Sequence, residues 1–228
     1  MKTGRSLQDR FTTSELCRRI FERHRATIRI QKSHIAVEKM ARIVEAALDL
    51  ANRHGFDAMS LRELAAKADV SMGSLYSYFD SKETLLMMIL EQVSLTVIEE
   101  LSAPPAGLAP REHLLWLIET HIRLTEAMQK WFVFAFLEAK TFPASARRFA
   151  VDSEAATERL FQDVLERGKA EGVFAVKDAS LTAALIKPLL QDWYVKRAKY
   201  KRRGTRLETY VDGVLELVLG AIAVRPLA

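Results

Sequence analysis

The chain of 228 residues holds a single cysteine, Cys17. One thiol cannot close an intramolecular disulfide or supply a Cys-rich zinc site, which excludes a disulfide scaffold and a zinc finger. Glycine and proline are scarce as well, at 9 and 6 residues, with Ala, Leu, Glu, Arg and Lys filling the intervals. So little punctuation argues against a strand-and-turn architecture and favours helices. No stretch offers the roughly 18 uninterrupted apolar residues of a membrane span, and the N-terminus has no apolar run of signal-peptide length. The expectation is a cytoplasmic protein with no membrane partner. Residues of catalytic motifs are missing too: there is no Gly-rich phosphate loop, no nucleophile elbow, and His113 and His121 stand too far apart to share a metal on one helix. Neither an enzyme nor a cofactor is expected.

What is present is a well-populated core composition, 49% hydrophobic and 28% charged, which excludes disorder as the dominant state. The formal charge of +5 is unevenly spread. Residues 1–36 carry nine basic side chains against Asp9, Glu15 and Glu22, while the remainder has 25 basic and 26 acidic residues. This N-terminal extension is read either as a basic arm lying along or inside the minor groove of DNA, or as a solvated tail or a helix packed on its own domain, Leu16, Ile20 and Phe21 being able to share a face of a short helix begun by Ser14.

Helical periodicity is clear from residue 35 to 54, where Met40, Ile43, Val44, Ala47, Leu48 and Ala51 recur at three- and four-residue steps before Gly55. Ser60, with Glu63 at capping-box spacing, opens a short second helix through Leu61, Leu64, Ala65 and Ala68. After Val70-Ser71 a third is expected over Met72 to Phe79, giving a helix-turn-helix. A long helix follows from Asp80 to about Leu101, then a Pro-Gly linker over 102–110. Further helices are expected over 111–130, 131–140, 143–151, 153–171, 178–201 and 205–223, with Pro188 kinking the fifth of them.

Residues 55–86 read GFDAMSLRELAAKADVSMGSLYSYFDSKETLL. This segment resembles the signature of the TetR family of bacterial transcription regulators, with its Gly-aromatic turn, Ser cap, Leu-Ala pair, Val-Ser-x-Gly-x-Leu-Tyr-x-x-Phe and Lys-Glu-x-Leu. The resemblance covers about a fifth of the chain. It implies an all-α protein with an N-terminal three-helix DNA-binding domain over 37–84 and a larger helical effector-binding and dimerisation domain over 85–228. The helical wheel agrees: Leu75 and Phe79 point inward, and Gly73, Ser74 and Ser77 face out between Tyr76 and Tyr78. Small residues allow close approach to a groove, and hydroxyls donate to phosphates or base edges.

The resemblance implies DNA contacts at Met72, Gly73, Ser74, Tyr76, Ser77, Tyr78 and Lys82 and matches Arg62 to a position that can reach a base; with Ser60 and Ser71 these form the candidate DNA-binding set. Arg62 is the expected base reader, and Lys82 the expected phosphate contact at a helix start. Residues 37–90 hold six basic against eight acidic side chains, so the reading unit is not itself basic. Tyr78 also stands where many relatives carry His.

The resemblance further implies a homodimer on a palindromic double-stranded operator, joined through the last two long helices, whose apolar faces include Leu181, Leu185, Leu189 and Trp193, then Val211, Leu215, Val218 and Ile222. A hydrophobic or amphipathic small-molecule effector is expected among the middle helices. Its candidate lining is Trp116, Met128, Trp131, Phe134 and Phe142, with His121 and Glu138 as polar hooks; plain core packing is the competing reading for each. A second basic cluster, from Lys196 to Arg206, reads as complementing a helix C-terminus. A protein-binding adaptor of the same fold is the alternative function.

Overall fold

The computed structural model describes residues 7–30 and 33–223. Helices α1 (Leu7–Arg10), α2 (Thr13–Arg23), α3 (Ser33–His54), α4 (Leu61–Lys67), α5 (Met72–Leu75) and α6 (Lys82–Leu101) come first. After a loop, α7 (Pro110–Ala127), α8 (Gln129–Leu137), a 3-10 turn (Glu138–Thr141), α9 (Ala144–Ala170), α10 (Ala179–Val195), α11 (Arg197–Arg202) and α12 (Leu207–Ile222) follow. Among the described residues the only β pairing is an isolated bridge between Phe174 and Ala223. The chain is all-α, as its composition predicts.

It packs as two compact units. The first holds Met1–Leu95 with Ala127–Ala150, the second Thr96–Glu126 with Val151–Ala228. Two boundaries drawn from the sequence differ from this. Residues 127–150, placed with the effector region on sequence grounds, pack inside the first unit. The extension, drawn as a separate region over 1–36, is in its described part integral to that unit. Thr12 caps α2 by accepting from the Glu15 N–H at 3.3 Å, and Leu16, Cys17, Ile20 and Phe21 are buried against α3. Removing three such apolar side chains from water stabilises by about 1.5–3 kcal/mol each, so this segment packs rather than trails. Arg18 bridges Glu15 and Glu22, and the Arg10 and Arg19 guanidiniums lie 5.1 and 5.5 Å from the centre of the Phe11 ring, so much of the basic charge is already engaged. Burial also pushes the Cys17 thiol well above its ordinary pKa, which keeps it inert.

Helix α9, most of which belongs to the second unit, is continuous where the sequence predicts a break near Asp152-Ser153. A weak local propensity for a break yields to tertiary packing. The helix ends where Phe174 folds back on it. A Cβ built on Gly168 would lie 2.1 Å from the Phe174 ring, so only glycine admits this approach. Pro188 sits inside α10, exposed, and the helix continues past it to Val195. The chain leaves helical geometry at Lys196 (φ −110°, ψ 35°). There Asp192 gathers Lys196 at 2.8 Å, Lys199 at 2.7 Å and the Tyr200 hydroxyl. Burial alone would raise the Asp192 carboxyl; these three donors hold it well below the usual range.

Candidate nucleic-acid interface

Local chemistry builds the reading head. Ser60 accepts from the Glu63 N–H at 3.1 Å to start α4, which ends in a six-to-one bond from the Val70 N–H to the Ala65 carbonyl at 3.0 Å, with Asp69 in the left-handed region at φ 54°. That is a Schellman closure with Asp where glycine is commonest. Ser71 then caps α5 by accepting from the Ser74 N–H at 3.1 Å. The two predicted serine hydroxyls are thus helix caps at the rim of the face.

On the outer side Arg62, Gly73 and Tyr76 are exposed, and Met72, Ser74 and Ser77 are partly so; Ser77 donates to the Gly73 carbonyl at 3.0 Å. A Cβ on Gly73 would meet nothing within 4 Å. The surface in front of α5 is open, and nothing inside the fold requires a glycine there. The carbonyl of Ser77 accepts from the Arg29 N–H at 2.9 Å, so the tail of the extension runs beside this turn, with Ile28 buried and Arg29 exposed.

Two members of the predicted set sit elsewhere. The third helix is shorter than expected: α5 ends at Leu75 and continues as a three-residue-per-turn step, with the Tyr78 N–H donating to the Leu75 carbonyl at 3.0 Å. That winding eclipses residues three apart, which puts Tyr78 over Leu75 on the inner side. Tyr78 is 1% exposed, and burial pushes its phenol up to about 12. It lines a small apolar cavity with Ile20, Met40 and Phe79, and is a core residue rather than a DNA contact. Lys82, expected to hold a phosphate, donates to the carbonyls of Phe56 at 3.2 Å, Asp57 at 2.7 Å and Met59 at 3.3 Å. All three ammonium hydrogens are directed at the loop between α3 and α4, so Lys82 positions the head.

The expected effector lining divides between the units. Met128, Trp131, Phe134 and Phe142 are buried in the first. The Phe56 ring lies 5.4 Å from that of Phe134 and 6.2 Å from that of Phe142, and the Phe56 N–H donates to the Glu138 carboxylate at 2.7 Å. Glu138 also stands 3.6 Å from the Cβ position of Gly55, whose φ of +90° makes the sharp exit from α3. Plain core packing therefore accounts for Phe134 and Phe142, and Glu138 is spent on the DNA-reading domain. Trp116 and His121 lie in the second unit. Half-buried Trp116 stacks beside His113, ring centres 5.9 Å apart; His121 is 2% exposed. Sequence reasoning missed Phe56 as the hub joining Lys82, Glu138 and two distant rings, because its partners stand up to 86 residues away in the chain, at Phe142.

A capped two-helix reader with an open, small-residue face, carried in an all-α chain, defines a helix-turn-helix DNA-binding regulator. Among the described residues no helix is long and apolar enough to cross a membrane. The family model for bacterial regulatory proteins of the tetR family matches residues 43–87, and that for the tetracyclin repressor-like C-terminal domain matches residues 107–195. The HTH-type transcriptional repressor KstR of Rhodococcus jostii is 31% identical over 202 residues, 85% of this chain and 89% of that one. The HTH-type transcriptional regulator HbdR of Aromatoleum sp. is 26% identical, covering 79% of this chain and 80% of its own. A crystal structure of a tetR-family regulatory protein from Rhodococcus RHA1 superposes with a TM-score of 0.71 at 22% identity, covering 82% of this chain and 97% of that one. The chain belongs to the TetR family and is a DNA-binding transcriptional regulator, not an enzyme.

Proposed function

We propose that the protein is a cytoplasmic repressor that binds a palindromic operator as a homodimer and is released by a hydrophobic or amphipathic small molecule held in the second unit. The observation that carries this reading is a pair of unpartnered apolar faces. Leu181 and Leu185 on α10 are 56% and 63% exposed, and Leu217 on α12 is 60% exposed, although both helices bury their other faces. Large apolar side chains bared at one-turn spacing on neighbouring helices suit a symmetric contact with a second copy. Two heads on one dimer then favour an operator with two inverted half-sites. Arg62 reads a base, Gly73, Ser74 and Tyr76 approach the groove, and the exposed Arg29 beside Ser77 reaches the flanking backbone. α6 runs without a break from Lys82, which grips the head, to Leu101 in the second unit, and so supplies a continuous element for the signal.

Selection of bound sequences from a random duplex library with the full chain tests the reading. The expected product is an inverted repeat whose half-sites lie about one helical turn apart, roughly 34–36 Å, or a multiple of it. Recovery of asymmetric single sites bound by monomers contradicts it. Release that requires a protein and never a small molecule replaces it with the adaptor reading.

A further inference from the structure

Among the described residues the second unit buries one cation. Lys187, on α10, is 7% exposed, and its Nζ makes a single hydrogen bond, to His121 Nε2 on α7 at 3.3 Å. Burial, with the neighbouring Lys187 charge adding to it, holds the His121 imidazole well below its ordinary pKa, so it meets the ammonium as a neutral acceptor. An ammonium has three hydrogens. Two of them find no acceptor among the described residues. The nearby hydroxyls are committed to their own helices, Thr125 donating to the Ile122 carbonyl at 2.8 Å and Thr157 to the Ser153 carbonyl at 3.1 Å. From α9 the carboxylates of Glu154 and Glu158 face this charge, but neither forms an ion pair with it within the described residues. Glu154 instead accepts from the Gln191 side chain at 2.5 Å. Apolar groups lie close to the pair: the Phe161 ring lies 6.5 Å from the His121 ring, and Leu117 and Ile118 on α7 and Leu190 on α10 are fully buried. A leucine at position 187 would serve the fold better, because an unmatched buried ammonium is destabilising.

We propose that Lys187, with His121 beside it, is the anion hook of the effector site and takes the carboxylate of a ligand whose body is apolar. The carboxylate would accept the two unspent N–H groups, and the apolar part would lie among the buried side chains of α7, α9 and α10. This rests on the reading of the second unit as the effector unit, but it names the ligand class and the residue that recognises it.

The test uses the full-length protein, titrated calorimetrically at pH 7 with sodium decanoate and, separately, with 1-decanol, both below their aggregation limits. Decanol is the more apolar of the two and shares the chain, so a site without a cation binds it at least as tightly. The proposal expects decanoate to bind at least tenfold more tightly than decanol to the wild type. Lys187→Met and Lys187→Gln should each abolish that preference while leaving decanol affinity within about twofold. Equal affinities in the wild type, no binding of decanoate, or a preference that survives in either variant overturns the proposal. Decanoate that binds through Lys187 without changing DNA affinity leaves the hook standing and defeats the release mechanism instead.

Discussion

Replacing Lys187 with methionine should stabilise the protein at neutral pH, and the gain should fade as the solution becomes alkaline. Burial pushes the Lys187 ammonium down from 10.5 to about 8 in the folded chain, with Glu154 and Glu158 opposing the shift. Between those two values the unfolded chain holds a proton that the folded chain has released. Stability attributable to this group therefore rises with pH from about 8 to about 10.5, and below about 8 the penalty is present in full. At about 1.4 kcal/mol per pH step, the penalty is on the order of 3–4 kcal/mol. Methionine fills nearly the same volume without the charge. The assay is urea unfolding of wild type and Lys187→Met at fixed protomer concentration from pH 7 to pH 10.5, read as a difference so that the other titrating groups cancel. The variant should be more stable by about 3–4 kcal/mol at pH 7, converging on the wild type near pH 10.5. A difference that stays flat across this range, or widens, refutes the reasoning.

Gly73→Ala should leave the thermal midpoint unchanged or raise it, since a Cβ there meets open space and alanine stiffens the unfolded chain by about 0.4–1 kcal/mol. The same variant should bind operator DNA more weakly in an anisotropy titration; undiminished binding would show that α5 does not close on the groove. Glu138→Ala leaves the Phe56 N–H without its carboxylate and should cost about 1–3 kcal/mol of stability by chemical denaturation. Glu138→Gln, which keeps an acceptor, should recover part of that loss. Leu185→Glu together with Leu217→Glu puts charge on the two exposed apolar faces. Analytical ultracentrifugation should show the wild type as a dimer and the double variant as a monomer, and a dimer that survives would move the interface elsewhere.

Much of the reading head could be read directly from the chain because its determinants are local. The caps at Ser60 and Ser71 act within three residues, and the apolar stripe of α3 repeats within one turn. An even 100° per residue places Tyr78 on the rim of the outer face, whereas the tightening after Leu75 turns it inward. Lys82 matches the family motif, yet the carbonyls that engage it lie 23 to 26 residues earlier, beyond any periodic pattern. The same reason hides Glu138 and Phe134, which look like a polar hook and a pocket aromatic until their packing on Phe56 is seen. Lys187 carries no local signal at all. In α10 it follows Ile186 and precedes Pro188, and only burial beside His121 distinguishes it from a surface lysine.

The central claim is that the face bearing Arg62 and α5 reads DNA sequence. Arg62 is exposed and makes no hydrogen bond or ion pair among the described residues, so its loss should leave the fold intact. The most direct measurement is the affinity of wild type and Arg62→Ala for the selected operator and for a scrambled duplex of equal length, at one fixed salt concentration. A base-reading arginine predicts a loss of about 1–3 kcal/mol, on the order of tenfold to a hundredfold, on the operator, with scrambled DNA almost unaffected. An equal loss on both duplexes, or none on either, would contradict it.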